Sequence, residues 1–242
     1  MKIISWNIAC LPYYFNFFSN PHKRIDMIIS TILSFEADII CLQEVLDNEI
    51  LYKIENKLKK KHYKICKSEN KIENTCFNYF RNLFKPCNND SGLLIASKLN
   101  FNLIKFIQYD DYIGEDSLIS KGIQVLSIDN IKIYNTHIQA DKPIFDFNKN
   151  AEKIIRKQID QLLNIICKDD KNILIGDFNL YKNSNLYNYF INSIKKKGNT
   201  NINGKELDYI ILNNYDKKTN YFLYEYDELS DHPLLICNLL NK

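Results

Sequence analysis

The stretch Asn172–Asn179, NILIGDFN, joins a short apolar run to a carboxylate and an amide, Asp177 and Asn179. Its apolar part, bounded by a turn, predicts a β-strand over Asn172–Gly176. The design recurs along the chain. Apolar, turn-bounded runs predict further strands at Lys2–Asn7, Asp38–Gln43, Gly92–Ser97, Gly122–Ser127, Ile131–His137, Leu207–Leu212 and Pro233–Cys237. Two segments show helical periodicity. Over His22–Phe35, Ile25, Ile28, Ile29, Ile32 and Leu33 share a face; over Ala151–Cys167, Ile154, Ile155, Leu162, Leu163 and Ile166 do. A more polar helix is expected over Asp47–Lys61. Strands outnumber helices, and helices fall between strands in both halves. Layer packing then implies sheets face to face with helices on the outer faces.

Composition sets the bounds. Of 242 residues, 45% are hydrophobic and 25% charged, which excludes intrinsic disorder. Six Gly and five Pro exclude collagen-like and linker-rich chains. One domain over 1–242 is expected, since sandwiches of about 200–250 residues are often single domains. There is no internal sequence repeat. Basic and acidic residues nearly balance, 32 against 29, and the pI of 8.3 lies below the value of about 9 that marks a dedicated nucleic-acid binder. Lysine runs at 59–61 and 195–197 close helix-like segments, where cations complement the negative helix end. Arg24, Arg81 and Arg156 are the only arginines. Phosphate and base-edge recognition favours the arginine fork, so their scarcity leans against a nuclease.

Seven cysteines cannot all pair, and no Cys/His spacing suggests zinc. Cys10, Cys41, Cys167 and Cys237 sit in apolar runs as small hydrophobes. Cys76 and Cys87 flank a loop and would bridge only in an exported protein. The start, MKIISWNIAC, lacks the uninterrupted apolar core of a signal peptide. No apolar stretch reaches the roughly 18 residues of a membrane span. The expectation is a reduced intracellular monomer, cytoplasmic or peripherally attached to a membrane.

Polar residues gather where apolar strands stop. Asn7 ends IISWN, Glu44 ends DIICLQE, and His137 ends IKIYNTH. Asp177 and Asn179 follow NILIG, Asp208 opens DYIIL, and Asp231 and His232 precede PLLIC. Each alone is a plausible turn, cap or half-buried residue. Together, if the ends converge on one rim, they form an acidic pocket of oxygen ligands suited to Mg²⁺ rather than zinc.

The ordered motifs SWN, LQEV, NTH, GDFN, LDY and SDH resemble the Mg²⁺-dependent endonuclease/exonuclease/phosphatase superfamily, DNase I-like nucleases included. The resemblance spans residues 3 to 237. It implies a four-layer α/β sandwich of two packed mixed sheets flanked by helices. It also implies that Glu44 binds Mg²⁺ (or Mn²⁺), with Asn7 beside it and Asp231 completing or supporting the site. Asp177 and Asn179 would orient water and phosphate, His232 would contact the scissile phosphate held by Asp208, and His137 would donate to a phosphate oxygen.

Two local motifs narrow the branch. THIQA at 136–140 is similar to the THLQA of neutral sphingomyelinases, and DSLISKG at 116–122 resembles their D-x-L-x-x-K-G segment. The resemblance implies a sphingomyelin phosphodiesterase; there Lys121 would reach a substrate phosphate oxygen, and Asp116 would hold that lysine or contact a cation. Its partner would be phospholipid at a membrane surface; the alternative is a nuclease acting on DNA phosphodiesters or abasic sites. Aromatic segments at Leu11–Phe18 and Cys76–Phe84 are docking candidates. Lys197–Glu206 is expected to be a short polar connection.

Overall fold

The computed structural model describes residues 1–11, 20–67, 91–102, 104–114, 116, 119–142, 150–166, 170–215 and 218–240. In chain order the elements are β1 (Lys2–Cys10), α1 (Pro21–Ser34), β2 (Ile39–Val45), α2 (Asn48–Lys59), β3 (Lys64–Lys67), β4 (Leu94–Ser97), β5 (Ile104–Gln108) and β6 (Gly122–Ile128). There follow β7 (Ile131–His137), α3 (Ala151–Ile165), β8 (Lys171–Asp177), α4 (Asn185–Lys195), β9 (Thr200–Lys205), β10 (Asp208–Asn213), β11 (Thr219–Tyr224) and β12 (Leu234–Leu239). They build two six-stranded mixed sheets, ordered β11-β12-β1-β2-β4-β3 and β5-β6-β7-β8-β10-β9. The parallel pairs are β1/β2 and β7/β8.

Strand alternation explains the layers. On β1, Ile4, Trp6 and Ile8 pack with Ile25, Ile28 and Ile32 of α1 and Ile50 and Ile54 of α2. Ile3 faces the opposite way and meets Ile39, Cys41 and Ile95 of its own sheet and Ile133, Ile173, Ile175 and Ile210 of the second. On the far side, Tyr134, Leu174 and Ile211 pack with Ile155, Ile159 and Leu162 of α3 and Phe190 and Ile194 of α4. The order is helices, sheet, sheet, helices: the expected four-layer sandwich.

Local chemistry starts the helices. Asn20 caps α1 through His22 N–H at 3.0 Å, with Pro21 in the first turn. Asp47 caps α2 and Ser184 caps α4 in the same way. Four strands were not foreseen: β3, β5, β9 and β11. The span expected to be a polar connection, Lys197–Glu206, holds β9, whose Asn203 and Lys205 pair with Ile210 and Asp208 of β10. The helix expected at the lysine run 195–197 is α4.

Cys10, Cys41, Cys66 and Cys237 are buried thiols. Burial pushes the Cys10 and Cys237 thiols up to about 12, so they act as small hydrophobes. Cys76, Cys87, Cys167, Arg81, the aromatic segment 76–84 and residues 12–18 of the other docking candidate lie outside the described residues. Among the described residues, no helix is long and apolar enough to cross a membrane.

Candidate active site

The polar strand ends collect at one end of the layer between the sheets. Alternation sends Ile3, Ser5 and Asn7 of β1 into that layer, as it does Ile133, Asn135 and His137 of β7 and Ile173, Ile175 and Asp177 of β8. His137 and Asp208 flank Asp177 on the same rung of the second sheet. Simple alternation would turn Glu44 of β2 toward the helices. Its backbone is left-handed, φ 56°, which breaks the alternation and brings the carboxylate to Asn7.

The Asn7 amide bridges the sheets. Its Nδ2 donates to Glu44 Oε1 at 3.0 Å and to Asp177 Oδ2 at 3.1 Å. Asn7 Oδ1 accepts from Ala9 N–H at 3.0 Å. Asn7 thus faces the carboxylates with its nitrogen and orients them. Asp177 Oδ1 accepts from Asn179 N–H at 2.9 Å, and Asn179 Nδ2 donates to Ile138 O at 2.9 Å. Gly176 directly before Asp177 has φ 137°, and a Cβ there would sit 1.9 Å from Thr136 O, so the close β7/β8 approach requires glycine.

His232 and Asp208 form a tight pair, Nδ1 to Oδ2 2.7 Å, and His232 Nε2 lies 3.8 Å from Asp177 Oδ2. Burial alone would lower the His232 pKa. The Asp208 hydrogen bond and the charges of Asp177, Asp208 and Glu44 overcome that and lift it to about 10. These contacts favour the imidazolium form of His232. His137 goes the other way: burial, Lys121 and His232 hold its pKa well below the ordinary value. Neutral His137 lies with Nε2 3.5 Å from Asp177 Oδ2 and 3.8 Å from Glu44 Oε1.

Lys121 is 2% exposed. Its ammonium bonds His137 Nε2 at 3.1 Å, Ile138 O at 3.0 Å and Asp116 Oδ2 at 2.9 Å. Asp116 Oδ2 also accepts from Ala140 N–H at 3.0 Å. The structure places Lys121 behind His137, with three partners for its three N–H groups, rather than open toward a phosphate. Asp231 is exposed and lies in neither group of clustered ligand atoms.

Those groups are Glu44–His137–Asp177 and Asp177–Asp208–His232, each with ligand atoms within 4.8 Å of one another. Burial pushes the Glu44 carboxyl up despite its bond to Asn7 and the nearby cations. Asp208 Oδ1 is buried without a hydrogen-bond partner. Converging carboxylate oxygens with incompletely compensated charge fit a hard divalent cation. Sequence reasoning missed Trp6, Ser230 and Arg24 around this site, and Gln43 and Asn135 beneath it. Gln43 and Asn135 lie inside the LQEV and NTH motifs, and Ser230 opens SDH, so adjacency to the motifs was the available signal.

An acid–base pair beside clustered carboxylates, set at the strand ends of a two-sheet sandwich, is hydrolase chemistry. The chain belongs to the Endonuclease/Exonuclease/phosphatase family, whose profile matches residues 4–232. It is thus a hydrolase of the phosphodiesterase and nuclease type. No curated protein sequence gives a significant match. Among solved structures, a double mutant of beta toxin from Staphylococcus aureus with bound magnesium ions aligns at TM-score 0.72 and 17% identity, covering 99% of each chain. Sphingomyelinase C from Streptomyces griseocarneus aligns at 0.68 and 17%, covering 98% of each. An AP endonuclease from Archaeoglobus fulgidus aligns at 0.66 and 14%, covering 99% of each. At these identities the likeness establishes the fold.

Proposed function

We propose that the protein is a Mg²⁺-dependent phosphodiesterase that hydrolyses sphingomyelin to ceramide and phosphocholine. The observation that carries the reaction class is the convergence of Glu44, Asp177, His137 and the His232–Asp208 pair, drawn from both sheets. Glu44 would hold the ion, oriented by Asn7, and bound Mg²⁺ would supply Lewis-acid stabilisation of charge developing on the phosphate. Asp177 Oδ2 accepts a proton from the water whose oxygen attacks phosphorus. Imidazolium His232 gives its Nε2 proton to the ceramide oxygen as the P–O bond to it breaks. Asp177 then releases its proton to solvent water and His232 takes one back from it, which restores both starting states. Asn179 would orient a phosphate oxygen, and Lys121 and Asp116 would fix His137 beside Asp177.

Three features support a choline lipid over DNA. The THIQA and DSLISKG segments resemble neutral sphingomyelinases, and the similar folds include a sphingomyelinase C. A cavity of about 520 Å³ opens beside Asn179, with Asp141, Glu152 and Tyr181 in its lining. Two carboxylates and an aromatic ring suit a trimethylammonium group and repel the flanking phosphates of a nucleic acid. We further propose a monomer, folded as a single domain, acting at the membrane surface. The test mixes purified protein with sphingomyelin vesicles or plasmid DNA, each with Mg²⁺ or chelator. Magnesium-dependent phosphocholine release is expected. Faster cleavage of DNA than of lipid would replace this reading with the nuclease one.

A further inference from the structure

Asn7 and His232 lie 225 positions apart in the chain, yet the reaction needs them in fixed register. The strand ladder does not supply it. Pairing of β1 with β12 runs only from Lys2↔Asn238 to Ser5↔Leu235. Pairing of β1 with β2 shifts register between Asn7 and Cys10, and Ala9 within that bulge is left-handed, φ 47°. The carbonyls of Asn7, Ile8 and Ala9 therefore need partners from elsewhere.

Side chains supply them. Arg24, from α1, is 4% exposed. Its guanidinium donates to Ile8 O at 2.7 Å, to Ala9 O and to Leu229 O. Ser230 Oγ donates to Asn7 O at 2.6 Å and accepts from His232 N–H at 3.2 Å. Trp6 Nε1 donates to His232 O at 2.9 Å. One fork thus ties the bulge to the residue before Ser230, and one hydroxyl ties Asn7 to His232. The bulge in turn aims the Asn7 amide, because Ala9 N–H holds Asn7 Oδ1.

We infer that Arg24 and Ser230 are positioning residues of the hydrolase, clamping the bulge that aims Asn7 to the segment that carries His232. The inference rests on the hydrolase reading, not on the choice of substrate. A lysine at position 24 keeps the charge but not the planar fork that serves several carbonyls at once.

The test measures kcat, KM and Mg²⁺ affinity (by calorimetry) for wild type, Ser230→Ala, Ser230→Thr, Arg24→Lys and Arg24→Met. Substrates are sphingomyelin vesicles and bis(p-nitrophenyl) phosphate. Misplacing a reacting group by about 1 Å can cost roughly a hundredfold in rate, so Ser230→Ala and Arg24→Lys should lower kcat about ten- to a hundredfold with KM within about twofold. Ser230→Thr, which keeps the hydroxyl, should recover most of the loss, and Mg²⁺ affinity should fall with Arg24→Lys through Asn7 and Glu44. If Arg24→Met does not fold, Ser230→Ala and Arg24→Lys decide. Folded variants with wild-type kcat and Mg²⁺ affinity overturn the inference, as does a loss confined to KM. Wild type active only on the small diester ends the sphingomyelin reading and leaves the clamp readable. Wild type inert on both diesters overturns the clamp and the hydrolase reading together.

Discussion

The two halves of the chain repeat one topology. The run β1-α1-β2-α2-β3-β4 builds a sheet ordered β1-β2-β4-β3, and β7-α3-β8-α4-β9-β10 builds one ordered β7-β8-β10-β9. Both have a parallel pair first and antiparallel strands after it. Each is extended beyond its parallel pair by two antiparallel strands, β12 and β11 or β6 and β5. No sequence repeat accompanies this. What differs is the chemistry at matching positions. The first strand of each pair carries Asn7 or His137 at or near its end, and the second carries Glu44 or Asp177. The residue before each carboxylate is Gln43 in one half, long enough to cross to the other sheet, and Gly176 in the other. Topology supplies two equivalent rims, and the side chains make them complementary rather than alike.

The sharpest way to break that view is to remove one carboxylate at a time. If the halves contribute unlike parts of one site, neither carboxylate substitutes for the other. Glu44→Gln and Asp177→Asn should then each lower turnover about a thousandfold, within the range that metal-assisted and acid–base steps contribute. Steady-state rates with phosphodiester substrates check this, with thermal melts to confirm the fold. Retention of more than a tenth of wild-type rate by either variant would make that carboxylate dispensable and the division of labour wrong.

A smaller effect probes the joint between the halves. Gln43 Nε2 donates to Asn135 Oδ1 at 2.7 Å, and Asn135 Nδ2 donates to Leu42 O at 3.2 Å. Both side chains are fully buried. Asn135→Ala strands the Gln43 amide, so it should cost about 1–3 kcal/mol in urea unfolding. Adding Gln43→Leu removes the stranded group, and the double variant should be less destabilised than the two single losses summed. Additive losses would show that the amides do not act as a pair.

The same comparison explains what the sequence made legible. The eight foreseen strands are interior strands, which are covered on both faces and read as apolar runs. The four missed strands, β3, β5, β9 and β11, are the outermost strands of the two sheets. Edge positions carry polar residues, as in KICK and TNINGK, and lose the apolar signature. The site was legible through its strand-end polar residues, because few other positions combine an apolar run with an acid or amide at its end. The clamp was not legible: Arg24 reads as one exposed turn of an amphipathic helix, and only the bulge at Ala9 reveals which carbonyls it serves. Lys121 was expected at the substrate, but its burial behind His137 depends on three partners brought together by folding.

The smallest predicted effect separates the halves by their charge. Glu55 of α2 pairs with Lys67 of β3 at 2.8 Å and with Lys59 at 3.1 Å. The matching elements, α4 and β9, contain no carboxylate at all in their sequences, NLYNYFINSIK and TNINGK. Burial pushes the Glu55 carboxyl up, and the two lysines more than reverse this, leaving it below its ordinary value. A carboxylate lowered on folding adds stability above its unfolded pKa, about 4.3 for Glu, and that stability is lost as pH falls through the folded value. Glu55→Gln should therefore cost about 0.5 kcal/mol at pH 7, as expected for partly exposed pairs. The difference from wild type should shrink in about 1 M salt through screening and vanish in acid once Glu55 is protonated. Urea midpoints of both proteins across pH check this, with hydrogen exchange of β3 against β9 assigning the change to the first half. A Glu55→Gln penalty that persists unchanged in acid would mean that Glu55 secures α2 to β3 by packing rather than by charge, and the contrast with α4 and β9 would then be one of shape.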